Sequence, residues 1–257
     1  MSSGDVTYVV DEEIATITLD RPEAHNTLTV HMVRRFAEAS AAAQADDEVR
    51  VVVVTGAGRT AFCAGGDLAE LIPRLTAGEL EILTPDPTKR FLSDVDKPVI
   101  AAVNGLCLAG GLELMLGTDL RIASSDAIFG LPEVRWGLVP GGGSHVRLPQ
   151  QVPWAFAMQL LLTGDHVDAR RAHEVGLVNE VVAPRPGAGP APGVAGRIPP
   201  HRPLAVRAAK EIAVRALANE PRFALEYALN ARVVASEDAR EGPRAFVEKR
   251  EPKYQGR

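Results

Sequence analysis

The sequence predicts an α/β fold built around a buried, mostly parallel sheet. Two observations carry that prediction: nearly unbroken runs of β-branched residues, and amphipathic segments at helical spacing between and after them. The clearest runs are Val49-Arg50-Val51-Val52-Val53-Val54 and Pro98 to Val103. Runs of this kind are expected of strands covered on both faces, as parallel sheets require.

The elements follow in order. Val6 to Val10 and Ile14 to Leu19 flank the acidic turn Asp11-Glu12-Glu13 and predict a hairpin. Arg21-Pro22 breaks the pattern. Thr29 then caps a helix whose apolar residues Met32, Val33, Phe36 and Ala37 recur at helical spacing, ending near Asp46-Asp47. The Val49 run ends at Thr55-Gly56 and the Pro98 run at Asn104-Gly105, with further strands expected at Leu120 to Ala123 and Ala127 to Phe129. Helices are expected over Gly110 to Leu116, Trp154 to Leu162 and Ala169 to His173, an alternation that implies βαβ crossovers.

The last third changes character. Leu204 to Leu217, Arg222 to Val234 and the shorter Glu241 to Lys249 are amphipathic helical stretches. Before them, ten of the twenty residues from Ala183 to Arg202 are Pro or Gly. A regular helix is excluded there, because each interior Pro costs about 3 kcal/mol. The predicted organisation is an α/β core over 1–182, a Pro/Gly-rich connection over 183–202 and a helical section over 203–257.

Composition removes several classes of protein. Hydrophobic residues at 46% and charged residues at 24% are the balance of a soluble globular protein. A net charge of −5 argues against a nucleic-acid surface, which needs a basic excess. Two cysteines, Cys63 and Cys107, exclude a disulfide scaffold and suit a reducing, cytoplasmic setting. The start MSSGDVTYVVDEE has neither a basic nor an apolar signal region, and no run of 18 apolar residues occurs, so neither a secretory signal nor a membrane span is expected.

Phosphate-loop, dinucleotide and nucleophile-elbow motifs are absent. His166 and His173 lie seven apart, not at metal-ligand spacing, and adjacent Ser144-His145 is no triad geometry. Two glycine-bearing segments remain. In Ala61-Phe62-Cys63-Ala64-Gly65-Gly66-Asp67-Leu68, a glycine pair and Asp let the chain turn sharply and open a helix, with backbone N–H groups pointing outward. The same residues would also serve a plain strand–loop–helix connection capped by Asp67. In Asn104-Gly105-Leu106-Cys107-Leu108-Ala109-Gly110-Gly111-Leu112-Glu113, two glycines open a helix whose free N–H groups favour an oxyanion.

Glu113 lies one turn further on, among Leu112, Leu114, Met115 and Leu116, where a lone carboxylate is costly unless paired or protonated. A first-turn Glu favourable to the helix dipole is the simpler alternative. Glu133 in Leu131-Pro132-Glu133-Val134 is a second carboxylate with apolar flanks, at a turn set by Pro132. Two glycine turns followed by two such glutamates suggest acid–base work beside a polarised carbonyl.

At these residues the sequence resembles the crotonase family, in its enoyl-CoA hydratase branch. The matching segments are Arg21-Pro22-Glu23-Ala24-His25-Asn26, Ala61 to Leu68, Asp96 to Gly105, Gly110 to Glu113, Leu131 to Glu133 and Gly137-Leu138-Val139-Pro140. Leu204 to Arg207 and Ser236 to Arg250 extend the likeness to the carboxy terminus. The resemblance implies a (ββα)n spiral core with a helical carboxy-terminal trimerisation section, assembling as a homotrimer or a dimer of trimers. It implies an acyl-CoA thioester as substrate, with no metal and no cofactor beyond the CoA carried by that substrate, and fatty-acid β-oxidation as the setting.

By position, Gly66 and Gly110 would supply the oxyanion-hole amides, and Glu113 and Glu133 the acid and base. Keeping both glutamates favours hydration over isomerisation, since isomerase and hydrolase branches usually lack one. The CoA moiety would lie along His25, Ala64, Asp67 and Leu68, with Phe246 and Lys249 from this or a neighbouring subunit at its adenine end. Acyl-pocket residues are expected between Leu68 and Leu92. A carnitinyl-CoA dehydratase uses the same two-glutamate chemistry and is the nearest rival. An RNA-binding relative would carry a lysine-rich first helix, whereas Thr29 to Gln44 has no Lys and only Arg34 and Arg35. The segment matching 183–202 is normally a helix in relatives, and here its composition departs from that.

Overall fold

Short-range pattern decides the first elements in the computed structural model, which describes residues 4–184 and 203–256. Alternation makes β1 (Asp5–Asp11) and β2 (Ile14–Asp20) an antiparallel hairpin, with Ala15, Ile17 and Leu19 turned into the core. Thr29 caps α1 (Val30–Ala45) by accepting from the Met32 amide, and Met32, Val33 and Phe36 face inward. The chain continues through β3 (Val51–Gly56), β4 (Ala61–Cys63), α2 (Leu71–Thr76), β5 (Val99–Val103), β6 (Leu106–Leu108) and α3 (Gly110–Leu116). After these come β7 (Leu120–Ser124), β8 (Ile128–Gly130), a 3-10 turn over Pro132–Trp136, α4 (Ser144–Gln151) and α5 (Trp154–Thr163). Last are β9 (His166–Asp168), α6 (Ala169–Glu174), β10 (Glu180–Val182), α7 (Pro203–Ala216), α8 (Glu220–Val234) and α9 (Glu237–Val247).

These strands form two sheets, ordered β1-β2-β3-β5-β7-β10 and β4-β6-β8-β9. The pairs β3/β4, β5/β6 and β7/β8 each place their first strand in the large sheet and their second in the small one. A helix or helical turn follows each pair. This repeat is the (ββα)n spiral implied by the resemblance, not the simple βαβ alternation read from the strong strands alone. The short second strands carry only three residues each, too few for a periodic signal.

The large sheet explains the valine runs. Val52, Val54, Val99, Ala101 and Val103 face the main core, while Val51, Ile100 and Ile122 form a separate buried cluster. Two buried cations fasten the helices to this frame. Lys97, 1% exposed, donates to the carbonyls of Ala43 and Asp46 at the end of α1. Arg121 donates to Met115, Leu116 and Thr118 carbonyls at the end of α3. Both satisfy helix-end carbonyls and complement the negative dipole end.

The structure departs from the expected elements elsewhere as well. Asp67 does not open a helix: its carboxylate accepts from the Ala69 and Glu70 amides in a turn, and α2 starts only at Leu71. The final helix begins at Glu237 rather than Glu241, because Ser236 caps it through the Ala239 amide. Gly242 and Pro243 inside that helix hide its true start from a propensity reading. It stops at Val247, and Lys249 adopts the left-handed conformation, φ 53°. Helix α4 is not predicted by the sequence pattern, because Pro149 lies within it. The Pro/Gly-rich connection falls, from residue 185 to 202, outside the described residues. No helix among the described residues is long and apolar enough to cross a membrane.

Candidate active site

The two glycine turns meet because α3 packs tightly on β4. A Cβ on Gly111 would lie 2.2 Å from the Cys63 carbonyl oxygen, so only glycine permits this approach. Gly65, at φ +101°, turns the preceding loop back beside Leu28. There the Leu28 amide donates to the Gly65 carbonyl at 2.8 Å, and the Asp67 amide donates to the Leu28 carbonyl at 2.9 Å. These two bonds flank Gly66 in a parallel bridge, which aims its own N–H away from Leu28. Gly110 is the first residue of α3, so its N–H has no intrahelical partner. A Cβ on Gly110 would lie 3.8 Å from the Gly66 nitrogen. The two amides therefore stand at one place, from segments more than forty residues apart.

Glu113 is one turn into α3 and 4% exposed. Its Oε1 accepts from the Gly142 amide at 2.6 Å. Burial pushes its carboxyl up to about 7, the Glu226 charge adds to the rise, and Gly142, His145 and Ser144 hold it back. Glu133 sits in the 3-10 turn that Pro132 starts. Its Oε2 is closed off from solvent and has no hydrogen-bond partner among the described residues. Burial raises its carboxyl well above the ordinary range, with the charge of Glu113 adding to the effect.

Gly66, Gly110, Glu113 and Glu133 line one narrow cavity of about 80 Å³. Its walls include Leu71, Ile72, Leu75, Leu80, Leu83 and Phe91, all within the 68–92 segment expected to form the acyl pocket. The cavity also draws on α8, through Asn230 and Val234. Nothing in the sequence marked those two, since they lie on a helix more than a hundred residues from Glu113. The Gly142 amide was missed too, although the run Gly141-Gly142-Gly143 after Pro140 signals a backbone approach.

Behind Glu113 lies a buried charged cluster. Arg90 Nε donates to Glu226 Oε2 at 2.9 Å, with side chains 1% and 4% exposed. Glu226 Oε1 accepts from the His145 amide at 3.1 Å and lies 3.4 Å from His145 Nδ1. Burial alone would lower the His145 ring, but its bond to Glu226 and the charges of Glu226 and Glu113 raise it. Ser144-His145 thus serves the loop around Glu113 and forms no triad.

The residues expected along CoA fall into two groups. His25, Ala64, Asp67 and Leu68 come together beside Gly66: the Ala64 amide donates to the His25 carbonyl at 3.0 Å, and His25 is exposed. The Asp67 carboxylate is committed internally, to Arg21 at 2.6 Å and to its own turn. Phe246 and Lys249 do not line the cavity. Phe246 instead packs edge-on against Trp136 of the same chain, ring centroids 5.0 Å apart, behind the turn that carries Glu133.

A strand–strand–helix spiral that closes two free amides over one pocket defines the crotonase class of fold. The family model for enoyl-CoA hydratase/isomerase matches residues 10–257, and the chain belongs to that family. It is 38% identical over 247 residues to enoyl-CoA hydratase EchA19 of Mycobacterium tuberculosis, covering 94% of this chain and 92% of that protein. It is 38% identical over 248 residues to the crotonyl-CoA hydratase of Syntrophomonas wolfei, covering 95% of each. A carnitinyl-CoA dehydratase structure from Mycobacterium avium superposes at a TM-score of 0.85 with 38% identity, over 98% of this chain and 99% of that one.

Proposed function

We propose that this protein is an enoyl-CoA hydratase, adding water reversibly across the double bond of a 2-enoyl-CoA thioester to give the 3-hydroxyacyl-CoA. The observation that carries this reading is the meeting of two free amides and two carboxyls of raised pKa around one apolar cavity. Attack of water at C3 sends charge to the thioester oxygen. The Gly66 and Gly110 amides would receive that charge, and losing one such donor costs roughly 2.7–4 kcal/mol in comparable sites.

The two carboxyls divide by their environments. Glu113, at about 7, is available as the ionised base that holds the water and takes its proton. Glu133, held higher, keeps a proton to deliver to C2. One O–C3 bond and one H–C2 bond form as the double bond is lost. A proton passes to Glu113 and another leaves Glu133, and exchange with solvent restores both.

The backbone of His25, Ala64, Asp67 and Leu68 would border the CoA moiety. Phe246 and Lys249 remain candidates for its adenine end. Assembly through the helical section is supported by its exposed apolar residues Leu204, Ile212, Leu225 and Leu229, which a lone chain leaves in water. A cytoplasmic setting and a place in β-oxidation would suit this chemistry. The test is hydration of crotonyl-CoA, followed by loss of the conjugated thioester absorbance, alongside crotonobetainyl-CoA and a 3-enoyl-CoA. Turnover of the 3-enoyl or crotonobetainyl substrate with crotonyl-CoA left untouched would overturn the reading.

A further inference from the structure

The acyl cavity is apolar around its two glutamates except at α8. Thr76 and Thr84 reach its wall, but their hydroxyls donate to main-chain carbonyls, Thr76 to Ile72 and Pro73 and Thr84 to Leu80. Asn230 is different. It lines the same cavity, and its Oδ1 is shut off from solvent with no hydrogen-bond partner among the described residues. An acceptor held away from water without a donor is unfavourable to the free protein, and a bound group that donates to it removes that penalty.

Asn230 packs on the loop that also holds Glu113. A Cβ on Gly141 would fall 2.2 Å from Asn230 Nδ2, and one on Gly142 would fall 2.8 Å from Glu113 Oε2. Those two glycines are neighbours, with Cα atoms about 3.8 Å apart. The carboxamide and the Glu113 carboxyl therefore both pack against this one stretch of loop. The chemistry narrows the group that Asn230 meets. Glu113, the ionised base of the proposed reaction, lines the cavity, so a second carboxylate on the acyl chain is repelled. A trimethylammonium group has no proton to give Oδ1, whereas a neutral hydroxyl does.

We propose that Asn230 selects 2-enoyl thioesters whose acyl chain carries a hydroxyl group. The inference rests on the hydratase reading and names its substrate class. The test is kcat/KM on two substrates of equal shape, 4-hydroxybut-2-enoyl-CoA and pent-2-enoyl-CoA, which exchange only OH for CH₃. The wild-type protein favours the hydroxyl substrate by about tenfold or more, the scale of one good hydrogen bond at a site built to make it. Asn230→Leu, nearly isosteric, reverses the preference, and Asn230→Ala abolishes it. A wild-type ratio near one, or a ratio unchanged in both variants, overturns the proposal while crotonyl-CoA hydration leaves the hydratase reading standing. A wild-type protein inert on all three thioesters overturns that reading, and this inference with it.

Discussion

The Gly142 amide and the Glu113 carboxylate meet at 2.6 Å, joining the loop before α4 to the first turn of α3. The bond fixes one oxygen of the carboxylate, and the Ser144 amide adds to its hold on the group. It also makes Glu113 the more readily ionised of the two glutamates, although burial opposes that ionisation.

Replacing either glutamate separates chemistry from folding. Glu113→Gln and Glu133→Gln are each expected to lower kcat for crotonyl-CoA hydration by at least about 10²- to 10⁴-fold, the usual share of a general acid or base. Circular dichroism and elution volume should stay those of the wild type. Near-normal turnover in either variant would remove that residue from the mechanism.

The pH dependence follows from the same two groups. Activity rises with pH as Glu113 ionises through about 7 and falls at higher pH as Glu133 loses its proton, giving a bell whose limbs belong to the pair. Stability moves the other way. Glu113 binds its proton more tightly folded than unfolded, so its contribution is full below the unfolded value near 4.3 and is lost as pH rises through about 7. Glu113→Gln should therefore raise the melting temperature at pH 8 and change it little at pH 4. Thermal melts of both proteins at the two pH values check this.

The Arg90–Glu226 pair ties α8 to the 85–95 segment beneath the site. Glu226→Leu leaves Arg90 buried without its counter-charge and frees the His145 amide. Removing one member of a buried pair costs about 3–5 kcal/mol, which urea unfolding would register as a lower midpoint. Arg90→Met combined with Glu226→Leu should recover much of that loss. An additive double variant would argue against the pairing as the cause.

Gly242 sets how closely α9 approaches the turn carrying Glu133. A Cβ there would lie 1.9 Å from the Trp136 carbonyl oxygen, so Gly242→Ala must displace one of the two. The expected result is a loss of both stability and kcat, although residue 242 is remote from the substrate. A variant that melts and turns over like the wild type would show that α9 does not brace Glu133.

Much of this was legible in the chain. The Thr29 cap, the hairpin and the Val51 to Val54 strand depend on neighbours within a few residues, and they formed as read. Gly66, Gly110, Glu113 and Glu133 were visible because glycine pairs and carboxylates in apolar runs are exceptions that demand a reason. The short strands β4 and β6 and the helix α4 were not. Three-residue strands have too little length for a period, and Pro149 masks α4.

By itself, then, the sequence determined the strand runs, the glycine turns and which two carboxyls would be costly to bury, because each follows from local conformation or from solvation. Only the tertiary structure decided that Leu28 aims the Gly66 amide, that Gly142 holds Glu113, and that Asn230 and Glu226 close the site from α8. Those contacts join residues from about thirty to more than a hundred positions apart. Their geometry comes from packing the spiral, and no local spacing encodes it.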